Sequence, residues 1–148
     1  AALTGLAAAL FFGSTVALAF DEVSLKKLKA LNVCTGCDLR GANLEKANLR
    51  DAKLNGAELE KANLKKANLD EAKMNIANLK KANLQEASLV LAELVEANLS
   101  GANLKNANLE KAKLREAKLS GANLSKANLK EARLNGDKLS GGKEEAGN

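Results

Sequence analysis

Two cysteines stand three apart in the run Cys34-Thr35-Gly36-Cys37, and they are the residues whose type and spacing carry the most distinctive chemistry in the chain. A C-x-x-C pair supports three chemistries: it closes a disulfide, works as a redox couple, or lends two thiolates to a zinc ion. With no histidine in the sequence, two thiolates leave a tetrahedral zinc site half filled. A thioredoxin-like couple sits in a βαβ frame, and no such pattern surrounds these residues. The lack of His and of any visible nucleophile–base pair leaves acid–base and metal catalysis without their usual groups. No enzyme activity, cofactor or metal is expected.

What must position the cysteines is the stretch that follows them. From Cys37 to Gly141 a five-residue unit, most often Ala-Asn-Leu-x-x, runs through 21 consecutive pentads without insertion or deletion. Position one is alanine from Ala42 to Ala132, with Cys37 and Asp137 at the two ends. Position three is leucine from Leu39 to Leu139, with Met74 the one substitute. An apolar period of five fits neither a helix, near 3.6, nor a long strand, at 2. Positions one and three share a face as in a short strand, so the chain must turn before the next pentad can face inward again. Such a chain is a coil with sides, and it buries a core only by stacking coil on coil at about 4.8 Å.

The outward second position gives the number of sides. At a spacing of four pentads, Asn43, Asn63, Asn83, Asn103 and Asn123 fall in one column and Lys53, Lys73, Glu93, Lys113 and Arg133 in another. At three pentads the same residues scatter. Four sides of five residues give about five coils and a rod on the order of 25 Å long. Its inward core contains the ladder Leu44, Leu64, Leu84, Leu104 and Leu124, together with Met74, and leaves no room for a ligand cavity.

The flanks divide the rest of the chain. Residues 1–19 carry no charge and end Ala17-Leu18-Ala19, an A-x-A cleavage pattern, which reads as most of a secretory signal peptide; a short membrane anchor is the alternative. Residues 20–36 form an N-terminal cap. Leu25, Leu28 and Leu31 recur at helical spacing after Asp21, a candidate N-cap, so a short α-helix is expected to lay this apolar face across the open first coil. With Asn32 to Gly36 taken as a degenerate pentad, Cys34 and Cys37 are the first and fourth residues of one turn. Their Cα atoms then lie within about 7 Å, close enough for a disulfide, which export favours and which is expected to pin the helix to the first coil. Residues 37–141 are the repeat array, in which Asp137 puts an inward charge on the last coil, and residues 142–148 are a loose tail.

Ala42-Asn43-Leu44 and its successors resemble the pentapeptide repeat family, whose members form a right-handed quadrilateral parallel β-helix. The resemblance implies an all-β fold and supplies its handedness, but not a role, because one fold hosts many functions. Some members resemble B-form DNA in shape and negative charge and shield gyrase; this chain has the opposite net charge, +5. An exported array this regular behind a C-x-x-C is similar to cyanobacterial members, which implies a thylakoid lumen or periplasm.

The outward residues bear on partners. Bases alternate with acids, as in Glu45-Lys46 and Glu110-Lys111, and all three Phe lie outside the repeats in a chain without Trp or Tyr. That pattern describes a solvated surface, and no nucleic-acid binding is expected. The column Lys53, Lys73, Lys113 and Arg133, joined by Arg115, suits an acidic partner. Ile76, Val90, Leu91 and Val95 break the polar rule and form a candidate interaction patch near one corner. The Asn columns are expected to solvate or cap neighbouring strands. The sequence thus describes a non-catalytic structural or protein-interaction module, a monomer or weak dimer, exported and free of membrane once cleaved. A thiol–disulfide protein working through Cys34 and Cys37 is the second reading, and a nucleic-acid binder or DNA mimic the third.

Overall fold

The computed structural model describes residues 20–134. The expected signal segment, Asp137 and the tail lie outside them. Within the described residues the sequence pattern becomes one helix followed by a regular stacked coil.

Helix α1 spans Glu22–Leu31. Asp21 caps it: its carboxylate accepts from the backbone N–H groups of Val23 and Ser24 and from the Ser24 hydroxyl, which satisfies donors that a helix start leaves open. Asn32 ends it in the left-handed conformation at φ 54°, its N–H donating to the Leu28 carbonyl. The buried face is Ser24 and Leu28, with Leu25 partly covered. Leu31, expected on that face, is instead 66% exposed. Three residues cover 300° of helical turn, so each step of three from Leu25 to Leu31 rotates the side chain about 60° the same way, and the second step carries it off the coil.

The coil begins with Asn32–Gly36, one pentad ahead of the regular pattern at Cys37. Parallel bridges join residues 20 apart without interruption, from Val33–Lys53 to Lys113–Arg133. On each side the outward residue donates to the coil before it and the leucine to the coil after it, as in Asn63 N–H to Ala42 C=O at 2.9 Å and Leu64 N–H to Asn83 C=O at 2.8 Å. A side is too short for an extended strand, and each corner closes at once: the Ala42 N–H donates back to the Leu39 carbonyl at 3.0 Å. The residue before each alanine sits at positive φ, as the third residue of a type II turn must. Gly36, Gly41, Gly56, Gly101 and Gly121 take this slot without strain, but Lys, Glu, Asp, Asn, Ile and Leu take it elsewhere, so the stacked hydrogen bonds override an intrinsic penalty.

Alanine and leucine meet along the axis. Leu64, Leu84 and Leu104 are fully buried, Leu44 and Leu124 nearly so, and all five stack in one inward column. Met74 is equally buried but belongs to a different column, which Cys34 heads.

Helix α1 covers only part of the first coil. The Asp21 N–H donates to the Asp38 carbonyl at 3.1 Å and the Asn32 side chain to the Arg50 carbonyl at 2.6 Å, so two edge acceptors are satisfied. A groove of about 460 Å³ stays open beside the C-terminal half of the helix, lined by Leu28, Leu31, Leu44 and Leu49 among others.

Candidate interaction surface

Cys34 and Cys37 are joined by a disulfide with Cα atoms 5.2 Å apart, within the normal span. The pentad register explains the geometry. Cys34 occupies a leucine position, fully buried, and donates its backbone N–H to the Lys53 carbonyl of the next coil. Cys37 occupies an alanine position, is half-buried, and donates to the Cys34 carbonyl across the corner at 3.3 Å. Both residues therefore belong to one corner of the first coil. The bond does not pin the helix, as the sequence suggested; it locks a turn, and α1 merely rests on it, with the Ser24 carbonyl 3.2 Å from the Cys34 sulfur. The reason is register: the pentad that carries both cysteines is already part of the coil.

The apolar surface residues lie on two adjacent corners. Ile76 donates its N–H to the Val95 carbonyl at 2.9 Å, which stacks these two on one corner of neighbouring coils. Val90 and Leu91 occupy the corner before it, separated from the first by the side Ala92-Glu93-Leu94. Ile76 is 67% exposed and Leu91 45%, while Val90 and Val95 are half-buried. Their N–H groups are held from the coil before, Val90 by the Asp70 carboxylate at 3.0 Å and Val95 by the Asn75 side chain at 2.9 Å. Turn backbones tied this way fix the direction in which their side chains leave the coil.

Between the two corners runs the column Lys53, Lys73, Glu93, Lys113 and Arg133. Glu93 interrupts the bases. It accepts from Lys113 at 2.9 Å and from Asn75 at 3.1 Å, and the Lys113 hydrogen bond, against the opposing effect of burial, holds its carboxyl below the usual range. Arg115, stacked on Val95, adds a base at the edge. Asp38 is likewise lowered, first by hydrogen bonds from the Arg40 guanidinium, and Asp21 by the Ser24 hydroxyl. A carboxyl whose pKa falls on folding stabilises the fold above its unfolded value and loses that contribution as pH drops through the folded one. Thermal melts followed by circular dichroism are therefore expected to hold steady from pH 7 to 5 and to shift downward below about pH 4.

On the side that bears Asn43, Asn63, Asn83, Asn103 and Asn123 the amides form a ladder. Each Oδ1 accepts the backbone N–H two residues on, as Asn83 does from Gln85 at 3.2 Å. The Nδ2 passes a hydrogen bond to the previous coil, from Asn83 to Asn63 at 3.3 Å and from Asn103 to Asn83 at 3.4 Å. Sequence reasoning expected these columns to solvate or cap neighbouring strands, and the bonds tie the amides to their own turns and to the amides of the coil before. The charge surrounding them was missed, because it comes from residues that become neighbours only once the coil is closed.

Comparison with known proteins places this architecture. The family model for pentapeptide repeats matches residues 33–70, 72–110 and 97–136. A pentapeptide repeat protein from the thylakoid lumen of Arabidopsis thaliana is 33% identical over 67% of this chain and 68% of its own, with a TM-score of 0.62. One from Nostoc is 40% identical over 52% of this chain and 64% of its own, with a TM-score of 0.51. QnrB1, a plasmid-mediated fluoroquinolone resistance protein, shares the fold at 22% identity, over 68% of this chain and 61% of its own, with a TM-score of 0.54. No curated protein matches the sequence significantly. Pentapeptide repeat proteins form right-handed quadrilateral β-helices, and the 20-residue bridge spacing, the alanine–leucine interior and the family match together make this chain a member of the pentapeptide repeat family.

Proposed function

We propose that this protein is a non-catalytic binding rod in an exported, oxidising compartment, a thylakoid lumen or periplasm, and that it meets a protein partner through the side flanked by Ile76, Val90, Leu91 and Val95. The observation that carries the reading is the contrast between inside and outside. The axis is filled by side chains that are nearly all under 3% exposed, whereas two large apolar residues stand well exposed on rigid turns of adjacent corners. Binding chemistry therefore belongs to the surface. The partner presents an apolar contact bordered by acidic groups, which meet Lys73 and Arg115. Export is supported by the Cys34–Cys37 bond, by the A-x-A end of residues 1–19 and by the lumenal origin of the Arabidopsis relative.

Leu91→Lys places a charge in the middle of that contact. Capture of partners from the native compartment is expected to fall at least tenfold with an unchanged melt, since Leu91 lies outside the core. Undiminished capture would remove the patch from the account. Sedimentation of the same variant reads whether the partner is a second copy.

A further inference from the structure

The net charge of the chain has a location that the linear sequence conceals. Around the Lys53–Arg133 column, the bases of the column and its two corners are matched in number by acids such as Glu93, Glu96, Glu110 and Glu116. The positive face lies opposite, on the side of the Asn43–Asn123 ladder. One bordering corner carries Lys61, Lys80 and Lys81 against Glu60. The other carries Lys46, Lys65, Lys66, Lys105 and Lys126 against Glu45 and Glu86. Of these lysines only Lys66, with Glu86, makes an ion pair among the described residues.

The floor between the two lysine rows has a defined polarity. Both lone pairs of the Asn63 and Asn83 Oδ1 atoms are occupied, one by a backbone N–H and one by the next amide. The backbone bond fixes the amide orientation, so Nδ2 faces the ladder with one N–H along the column; the second N–H is left over at Asn83 and Asn103, while at Asn63 the Nδ2 also reaches the Glu45 carboxylate at 3.5 Å. From Asn63 to Asn123 the asparagines are half-buried, while the lysines beside them are mostly exposed, so the floor is recessed between raised cationic ridges. At Asn63 and Asn83 no amide oxygen is left free, and the amides repeat at the strand spacing of about 4.8 Å.

We infer that this face binds an extended acidic polysaccharide lying along the rod, its carboxylates or sulfates on the lysine rows and its ring and hydroxyl oxygens on the amide N–H groups. A straight column at that spacing suits a linear polymer of comparable repeat. A bilayer, being flat, reaches the ridges but not the floor. Duplex DNA carries phosphates on a helical track about 3.4 Å apart per strand. A single strand needs aromatic platforms, which the repeats lack.

The test measures binding of the full-length chain to polygalacturonate, with neutral dextran, duplex DNA and phosphatidylserine vesicles alongside. Polygalacturonate is expected to bind, more weakly as salt rises, while dextran does not. The triple variant K65E/K80E/K105E, none of whose sites requires positive φ, is expected to bind at least tenfold more weakly with an unchanged melt. Asn83→Asp keeps the acceptor of Gln85 N–H but turns the floor anionic, and is expected to weaken binding severalfold. R50E/K111E/K130E, exposed on a corner of the balanced side, is expected to leave binding unchanged. Absence of polygalacturonate binding, equal losses in the two triple variants, or tighter binding to DNA or to vesicles would each overturn the inference.

Discussion

Replacing Leu84 with alanine is expected to cost about 2–5 kcal/mol, enough to lower the melting temperature by on the order of 10–20 °C. Leu84 is fully buried in the middle of its ladder, with Leu64 and Leu104 on the coils either side. The vacated space has little means of closing. The Leu84 N–H is bonded to Asn103 at 2.7 Å and the Asn83 N–H to Ala62 at 2.9 Å, so the backbone of three successive coils is tied at the lesion. Opposite stands alanine, which has no side-chain length to swing into the gap. The same change at Leu134, only partly buried, is expected to cost about 1 kcal/mol, because less of its side chain is withdrawn from water. Chemical denaturation of both variants measures the difference. Equal costs would contradict the assignment of this cost to burial.

Reduction of Cys34–Cys37 is the second large effect. The closed loop contains four residues, so chain entropy accounts for about 2 kcal/mol, the low end for a disulfide. The loss is expected to stay local. The bond closes a corner of the first coil beneath α1, so hydrogen exchange in the helix from Leu25 to Leu31 and in the first coil should accelerate on reduction. The amides of Leu84 and Leu104 should keep their protection. Cys34 is fully buried and Cys37 half-buried. A structural bond is expected to resist mild reductant. Rapid exchange with a lumenal or periplasmic dithiol, together with a partner affinity that follows the redox poise, would instead favour a thiol–disulfide protein.

Much of this molecule was legible because its sequence is periodic. Alanine and leucine at positions one and three specify an inward pair, and the columns that appear at four pentads reproduce the bridges from Asn43 to Asn63 and from Lys53 to Lys73. The positive-φ slot was readable from Gly36 and Gly56, although Ile76 and Leu91 occupy it in defiance of their own preference, held there by bonds to the next coil. The cap was less legible. Helical spacing alone grouped Leu31 with Leu28, whereas the contact that the coil offers reaches only Ser24, Leu25 and Leu28. The cysteine pair was readable as a turn, but not as one that leaves the helix unlinked. The surface was the hardest part. Ile76 and Val95 share a corner only through the 20-residue stack, and the balance of charge on one side against its excess on another exists only after the coil closes.

Intact mass of the protein from its native cells tests most directly the proposal of an exported rod with structural cysteines. The sample is alkylated with and without prior reduction. The predicted result is a chain that begins at Phe20 and takes up two alkyl groups only after reduction. A chain that retains residues 1–19 with both thiols alkylated at once would contradict the compartment and the bridge together.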